Sequence, residues 1–347
     1  MHIYRRPTAT RIFALVLALV AVLAIVIGAT ISAAQAAPIG MLKQYKVPTK
    51  GSSPEHITQA SDGNFWFTES FLNNQNASPH KVGRITPDGQ VTEFDVCRHP
   101  EFGFEQCFPT DIVQGSDGIL YFTKNDAPLG RITTDGVQLA DAGERFSFNG
   151  NGLDAHGDDI WVTDFNNDSI HRYDIPTGEF TAFPTPASSG NTDPLDVAVA
   201  PDGIVWFTEG LGQIGRLDPA TGAITEIDVE GLPREINIAS DGAVWFTQRF
   251  PPQGVGRIAP VPNPVAGDVT FFPVDGGPLD IAPAADGSMW FTRTTAGNIA
   301  RITPDGVITA QSKTVKGSEP FGITVPSDGN PWFTMLSADK IANLKLR

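Results

Sequence analysis

The chain has 347 residues, 41% of them hydrophobic, which is too apolar for a disordered polymer and long enough to bury a sizeable core. A formal net charge of −15 excludes a nucleic-acid partner, because a phosphate backbone has to be met by Lys and Arg. The 35 glycines and 28 prolines suit a chain in which short strands alternate with tight turns.

Arg5, Arg6 and Arg11 lead into an apolar run from Ile12 to Ile31, followed by Ser32-Ala33-Ala34-Gln35-Ala36-Ala37. A positive start, an apolar middle and small residues at the end are the order of a secretory signal, with cleavage expected before Ala37. The apolar run of about 20 residues is also long enough to span a bilayer, so an uncleaved anchor is the alternative. Residues 1–36 are therefore read as a signal peptide. The remainder is expected to be secreted, or held at a membrane only if this segment is retained.

From residue 41 onward the chain repeats. Pro54-Glu55-His56-Ile57 leads to Asp62-Gly63 and Phe65-Trp66-Phe67-Thr68, and Pro109-Thr110-Asp111-Ile112 leads to Asp117-Gly118 and Tyr121-Phe122-Thr123. A degenerate third copy holds Leu153-Asp154 and Trp161-Val162-Thr163; regular copies follow from Pro194, Pro233, Pro278 and Pro320. The aromatic marker falls at 66, 121, 161, 206, 245, 290 and 332, seven times at spacings of 39 to 55. In each copy an apolar alternation makes a short strand, and Asp-Gly supplies the positive φ of a hairpin turn. The aromatic-Phe-Thr run makes a second strand. Segments such as Lys81-Val82-Gly83-Arg84-Ile85 and Val91-Thr92-Glu93-Phe94 make a third and a fourth. Four antiparallel strands in seven copies predict an all-β, seven-bladed propeller over residues 41–347.

The last copy has a third strand, Lys340-Ile341-Ala342-Asn343-Leu344, and no fourth, while Leu42-Lys43-Gln44-Tyr45-Lys46-Val47 precedes the first copy as an orphan. The N-terminal strand is expected to complete the last blade and remove two open edges. Cys97 and Cys107, both in the long connection between the first two markers, read as a disulfide pinning a loop.

The second residue after the repeat's Pro gives, round the ring, His56, Asp111, Asp154 (in the degenerate copy), Asp196, Glu235, Asp280 and Gly322. At the start of the innermost strand these side chains should encircle the channel mouth. Five carboxylates and an imidazole there would repel one another unless a cation sat among them, and magnesium or calcium takes such oxygen ligands. The alternative is that each carboxylate bonds backbone N–H groups at its own blade. The residue after each aromatic-Phe-Thr run is Glu69, Lys124, Asp164, Glu209, Gln248, Arg293 and Met335, and these are expected as a variable binding rim. Arg84, Arg131, Arg172, Arg216, Arg257 and Arg301 recur in the third strand and are read as structural. His156 with Asp154, Asp158 and Asp159 is a cation cluster or a polar turn.

The units Pro-x-x-Ile, Asp-Gly-x-x-Trp-Phe-Thr-Glu and Ile-Gly-Arg-Ile-Thr-x-Asp-Gly resemble those of the virginiamycin B lyases, with clear instances at 64–69, 83–94 and 205–209. The resemblance implies a seven-bladed propeller and a magnesium-assisted elimination that opens a cyclic depsipeptide. It also implies a His directly after the Pro in the sixth and seventh blades, a Glu before the seventh Pro, and a later Glu in that blade. Here those positions hold Leu279, Phe321, Glu319 and Leu336, so one of four matches. Leu and Phe neither ligate a metal nor move a proton. The favoured expectation is a secreted propeller that binds a small molecule or an extracellular partner, with the lyase site largely lost. An active streptogramin-type lyase and a divalent-metal hydrolase resembling a lactonase are the alternatives.

Overall fold

The computed structural model describes residues 36–70, 80–96, 98–99, 103–104, 107–124, 129–143, 152–186 and 191–346. Residues 1–35 of the expected signal segment and Cys97 of the expected disulfide lie outside the described residues. Seven antiparallel sheets make the blades. The first is Pro54–Gln59, Phe65–Glu69, Lys81–Ile85 and Val91–Asp95 in that order, and the fourth is Pro194–Val199, Val205–Glu209, Gln213–Asp218 and Ala223–Asp228. Blade 2 has three strands, Pro109–Gln114, Leu120–Lys124 and Gly130–Ile132, and its fourth position is reduced to the single bridges Leu129–Ala142 and Ile132–Gln138.

The orphan strand Met41–Lys46 pairs antiparallel with Lys340–Lys345, from Met41 opposite Lys345 to Lys46 opposite Lys340. Blade 7 is thus built from both ends of the propeller, which closes the ring by hydrogen bonds. Closure is hydrophobic as well. Trp332 of blade 7 stacks on Phe65 of blade 1 at 4.3 Å and on Tyr45 of the N-terminal strand at 5.6 Å.

The core is divided into one apolar cluster per blade junction. Trp66 and Val82 of blade 1 pack with Ile112 and Phe122 of blade 2, and Trp206 and Ile214 of blade 4 with Ile236 and Phe246 of blade 5. The Trp of each repeat therefore fills the seam with its neighbour. The Phe beside it turns onto its own blade's third strand, and the Gly of Ile-Gly-Arg is what admits it. A Cβ on Gly83 would stand 2.1 Å from the Phe67 ring, and one on Gly215 2.0 Å from Phe207.

The Thr after Trp-Phe stitches the ring on its inner face. Thr208 Oγ1 accepts the Asp196 N–H at 3.1 Å and donates to the Arg234 carbonyl of the next blade at 2.7 Å. The same pair of bonds recurs at Thr68, Thr292 and Thr334. The strand arginines are structural, as expected. Arg84 donates to the Thr134 carbonyl of blade 2 and lies over Trp66, Arg131 donates to Ala140, and Arg257 pairs with Asp241 at 2.8 Å.

Candidate functional site

The inner strands enclose a channel cavity of about 310 Å³ lined by His56, Asp111, Asp154, Asp196, Glu235 and Asp280 among others. The sequence-derived ring is therefore gathered at one place, with one correction of register. In blades 1 and 4 the residues opposite the Trp are Thr58 and Ala198, two past His56 and Asp196, whereas in blade 3 Asp154 itself faces Trp161. Gly152 is the true blade 3 member, its N–H bonded to Thr163 as the Asp196 N–H is to Thr208. Asp154 sits one tier further along the channel. The missing Pro and the shortened strand hid this shift in the sequence. Gly152 leaves the room that Asp196 uses, since a Cβ there would stand 2.3 Å from Asp196 Oδ1.

What the carboxylates do is visible in their bonds. Asp196 accepts the N–H of Val197 in its own blade and of Ile236 in the next, both at 2.8 Å. Asp111 does the same with Ile112 and Leu153, and Asp280 with Ile281 and Ile323. Asp154 repeats the rule one tier on, with Ala155 and Val199. These aspartates are cross-blade straps that satisfy inner-strand N–H groups, one N–H to each oxygen. A metal held by the whole ring would have to share oxygens that already accept these bonds. Among the described residues no three His, Cys, Asp or Glu side chains converge on a common ion position, at His156 or elsewhere.

Gly152 and Gly322 carry no side chain to act as a strap, and two ionisable positions also break the rule. In blade 1 the Asp is replaced by His56, whose Nδ1 lies 2.9 Å from Asp111 Oδ1, while its Nε2 has no protein partner among the described residues. In blade 5 it is replaced by Glu235, which lines the cavity and whose carboxylate makes no hydrogen bond among the described residues. The electrostatics follow. Burial would lower the His56 pKa, but the charge and hydrogen bond of Asp111, with Glu235 and Asp280, outweigh it and raise it well above the usual range. Burial pushes Asp280 up to about 7 and Asp154 to about 6, and burial with the neighbouring Glu235 and Asp111 charges raises Asp196 well above the carboxylate range. The cavity thus sets an imidazole biased toward its protonated form among acids that resist ionising together.

Glu55 was not singled out by the repeat pattern. It occupies in blade 1 the column that holds Leu279 and Phe321 in blades 6 and 7, and burial raises its carboxyl to about 7 beside the charges of His56 and Glu235. That column, one residue off the ring, was the available signal.

The expected rim is not a rim. Glu69, Lys124, Asp164, Glu209, Gln248, Arg293 and Met335 are all buried, none more than 5% exposed. Each ends its blade's second strand facing into the blade. The polar ones that carry partners find them at once: Lys124 with Asp141 at 2.6 Å, Asp164 with Asn167 at 2.8 Å, Arg293 with Asp275 at 2.5 Å. At the corner matched to the family, Leu279 and Leu336 are buried, and the Phe321 ring lies 5.5 Å from that of His56. Glu319, exposed and in the left-handed region at φ 47°, accepts a hydrogen bond from Ser337.

The sequence profile described as the Virginiamycin B lyase family matches residues 30–141 and 152–347. A virginiamycin B lyase of Nocardia farcinica is 31% identical over 154 residues, 44% of this chain and 48% of that protein, so the match spans about half the length of this curated relative. A streptogramin B lyase structure superposes with a TM-score of 0.76 at 26% identity, covering 89% of this chain and 98% of that one. A catalytically inactive virginiamycin B lyase from Staphylococcus aureus with quinupristin gives 0.74 at 27% identity, covering 88% and 99%.

Proposed function

This chain belongs to the virginiamycin B lyase family, and from that premise we propose that it is a ligand-binding member which takes a small, positively charged molecule in the channel cavity. The observation that carries this reading is the pair of strap positions released from structural duty. Glu235 presents an uncommitted carboxylate to the cavity, and His56, held by Asp111, presents Nε2. A ligand cation bound at Glu235 would relieve the Glu235 repulsion that adds to burial in raising Asp196 and Asp280. The imidazolium of His56 would donate to an acceptor elsewhere on the ligand.

The lyase alternative is weaker on chemical grounds. Elimination needs a base for the proton and an electrophile for the developing charge. Leu279, Phe321 and Leu336 supply neither, Glu319 is engaged by Ser337, and Asp111 biases His56 toward its protonated form, which is unsuited to a base. A metal-dependent hydrolase would have to draw its ligands from strap oxygens that already hold inner-strand N–H groups, and among the described residues no three such side chains converge on one ion position. Residues 1–36 are proposed to export the chain, with membrane attachment where they are retained, and Cys97 and Cys107 to pair outside the cell.

Calorimetry against a panel of small amines and quaternary ammonium compounds tests the reading, with Glu235→Gln as the matched variant. Binding by the wild type that Glu235→Gln weakens at least tenfold supports it, and binding that the variant retains removes Glu235 from the site. In parallel, incubation with a type B streptogramin and magnesium, followed by mass spectrometry, should leave the depsipeptide ring intact. Linearised product would restore the lyase reading.

A further inference from the structure

The residue that ends the second strand of each blade is buried, and in most blades its polarity is answered within the protein. Blades 1 and 4 are the exceptions: the oxygens of Glu69, like those of Glu209, meet no hydrogen-bond donor among the described residues, but Glu69 has the Lys81 charge beside it. Glu209 is fully buried and neither carboxylate oxygen meets a donor among the described residues, and Oε1 of the nearby Glu226 is likewise buried without one. A buried carboxyl group without a partner is costly, and the charge of half-buried Glu226 beside it adds to that cost.

Blade 1 shows what is missing. Strand register maps the two blades residue for residue: Glu69 faces Lys81 and Gly83 faces Glu93, as Glu209 faces Gln213 and Gly215 faces Glu226. In blade 1 the Lys81 ammonium lies 2.9 Å from Glu93 Oε2 and 2.9 Å from Thr49 Oγ1, and its charge acts on Glu69. In blade 4 the position of Lys81 is taken by Gln213, which brings no charge. Its amide nitrogen lies 3.5 Å from Glu226 Oε2 and 3.1 Å from Asp228 Oδ1.

We propose that blade 4 carries a cation site between Glu209 and Glu226, in the place that the Lys81 ammonium fills in blade 1, and that a calcium-class divalent ion occupies it. Two carboxylates balance one divalent charge. The donors are oxygens on long, adaptable side chains, which suits the variable geometry of calcium better than the strict octahedron of magnesium. Since no three acidic side chains converge here, the remaining ligands are water, backbone carbonyls and the Gln213 amide oxygen after a flip of that group. The site is separate from the channel and does not depend on the function proposed for it.

The test uses the full chain with calcium chloride as the probe, read by calorimetry and by thermal melting with and without chelator. Wild type should bind calcium and gain about 5 °C at a hundredfold excess over Kd. Glu209→Gln should weaken that binding at least tenfold. Gln213→Lys places in blade 4 the ammonium of blade 1, so it should melt above wild type in chelator and gain nothing further from calcium. This second variant keeps the test open where Glu209→Gln fails to fold. The channel variant Glu235→Gln should keep the full calcium response. Calcium affinity unchanged in Glu209→Gln, a Gln213→Lys protein less stable than wild type in chelator, or a calcium response lost only in Glu235→Gln would each overturn the proposal.

Discussion

Replacing Thr208 by Val isolates the inner stitch of the ring. The two side chains are nearly equal in volume and both β-branched, so the strand and its packing are preserved while the hydroxyl is lost. That hydroxyl is fully buried and holds two groups of different blades, the Asp196 N–H at 3.1 Å and the Arg234 carbonyl at 2.7 Å. Val leaves both without a partner. A buried group orphaned in this way costs about 1–3 kcal/mol, so the pair amounts to roughly 2–4 kcal/mol once the better burial of the added methyl is allowed for. For a domain of this size that is a fall in Tm of about 3–6 °C. Thr208→Ser keeps the hydroxyl and loses one methyl, and should cost only about 1 kcal/mol. Thr225→Val, on the exposed outer strand of the same blade, should be near neutral. Thermal and urea unfolding followed by circular dichroism rank the three. The reasoning fails if Thr208→Val is no worse than Thr208→Ser, because the hydroxyl would then hold nothing together.

Other expectations follow from the channel. Glu55 and Asp280 have folded pKa values raised to about 7, above their unfolded values, so their stabilising contribution is complete at low pH and is lost as pH rises through about 7. Stability set by these groups should therefore fall between about pH 4 and pH 7, and Glu55→Gln should flatten that slope in urea midpoints measured across the range; an unchanged slope would exclude Glu55 as a contributor. Gly322→Ala should be severely destabilising, because its Cβ would stand 2.4 Å from the Glu55 carbonyl and 2.7 Å from the His56 Cα across the closing seam. A melting temperature within about 2 °C of wild type would show that the seam can open at little cost.

The ring was legible in the sequence because its causes are local. Asp-Gly turns, alternating strands and a Trp-Phe-Thr run repeat where each blade repeats, and the unpartnered strand at Leu42 could only complete the blade that lacked one. The channel positions of His56, Asp111, Asp196, Glu235 and Asp280 were legible for the same reason: a fixed distance from the repeat's Pro is a fixed place on the inner strand. Asp154 was misplaced because its blade lacks the Pro that sets the count. The rim was misread because sequence marks where a strand ends but not which way its last side chain turns, and the packed blades turn it inward.

What the sequence determined by itself was therefore the number of blades, the manner of closure and the family to which those blades belong. Only the tertiary structure separated the strap aspartates from the free pair, because a strap is defined by an N–H group of the next blade, some forty residues along the chain, as Ile236 is from Asp196. The same holds for Glu209, which in sequence is one more strand-ending acid. Its half-buried neighbour Glu226, and the ammonium that its blade lacks, exist as facts only once strands are laid side by side.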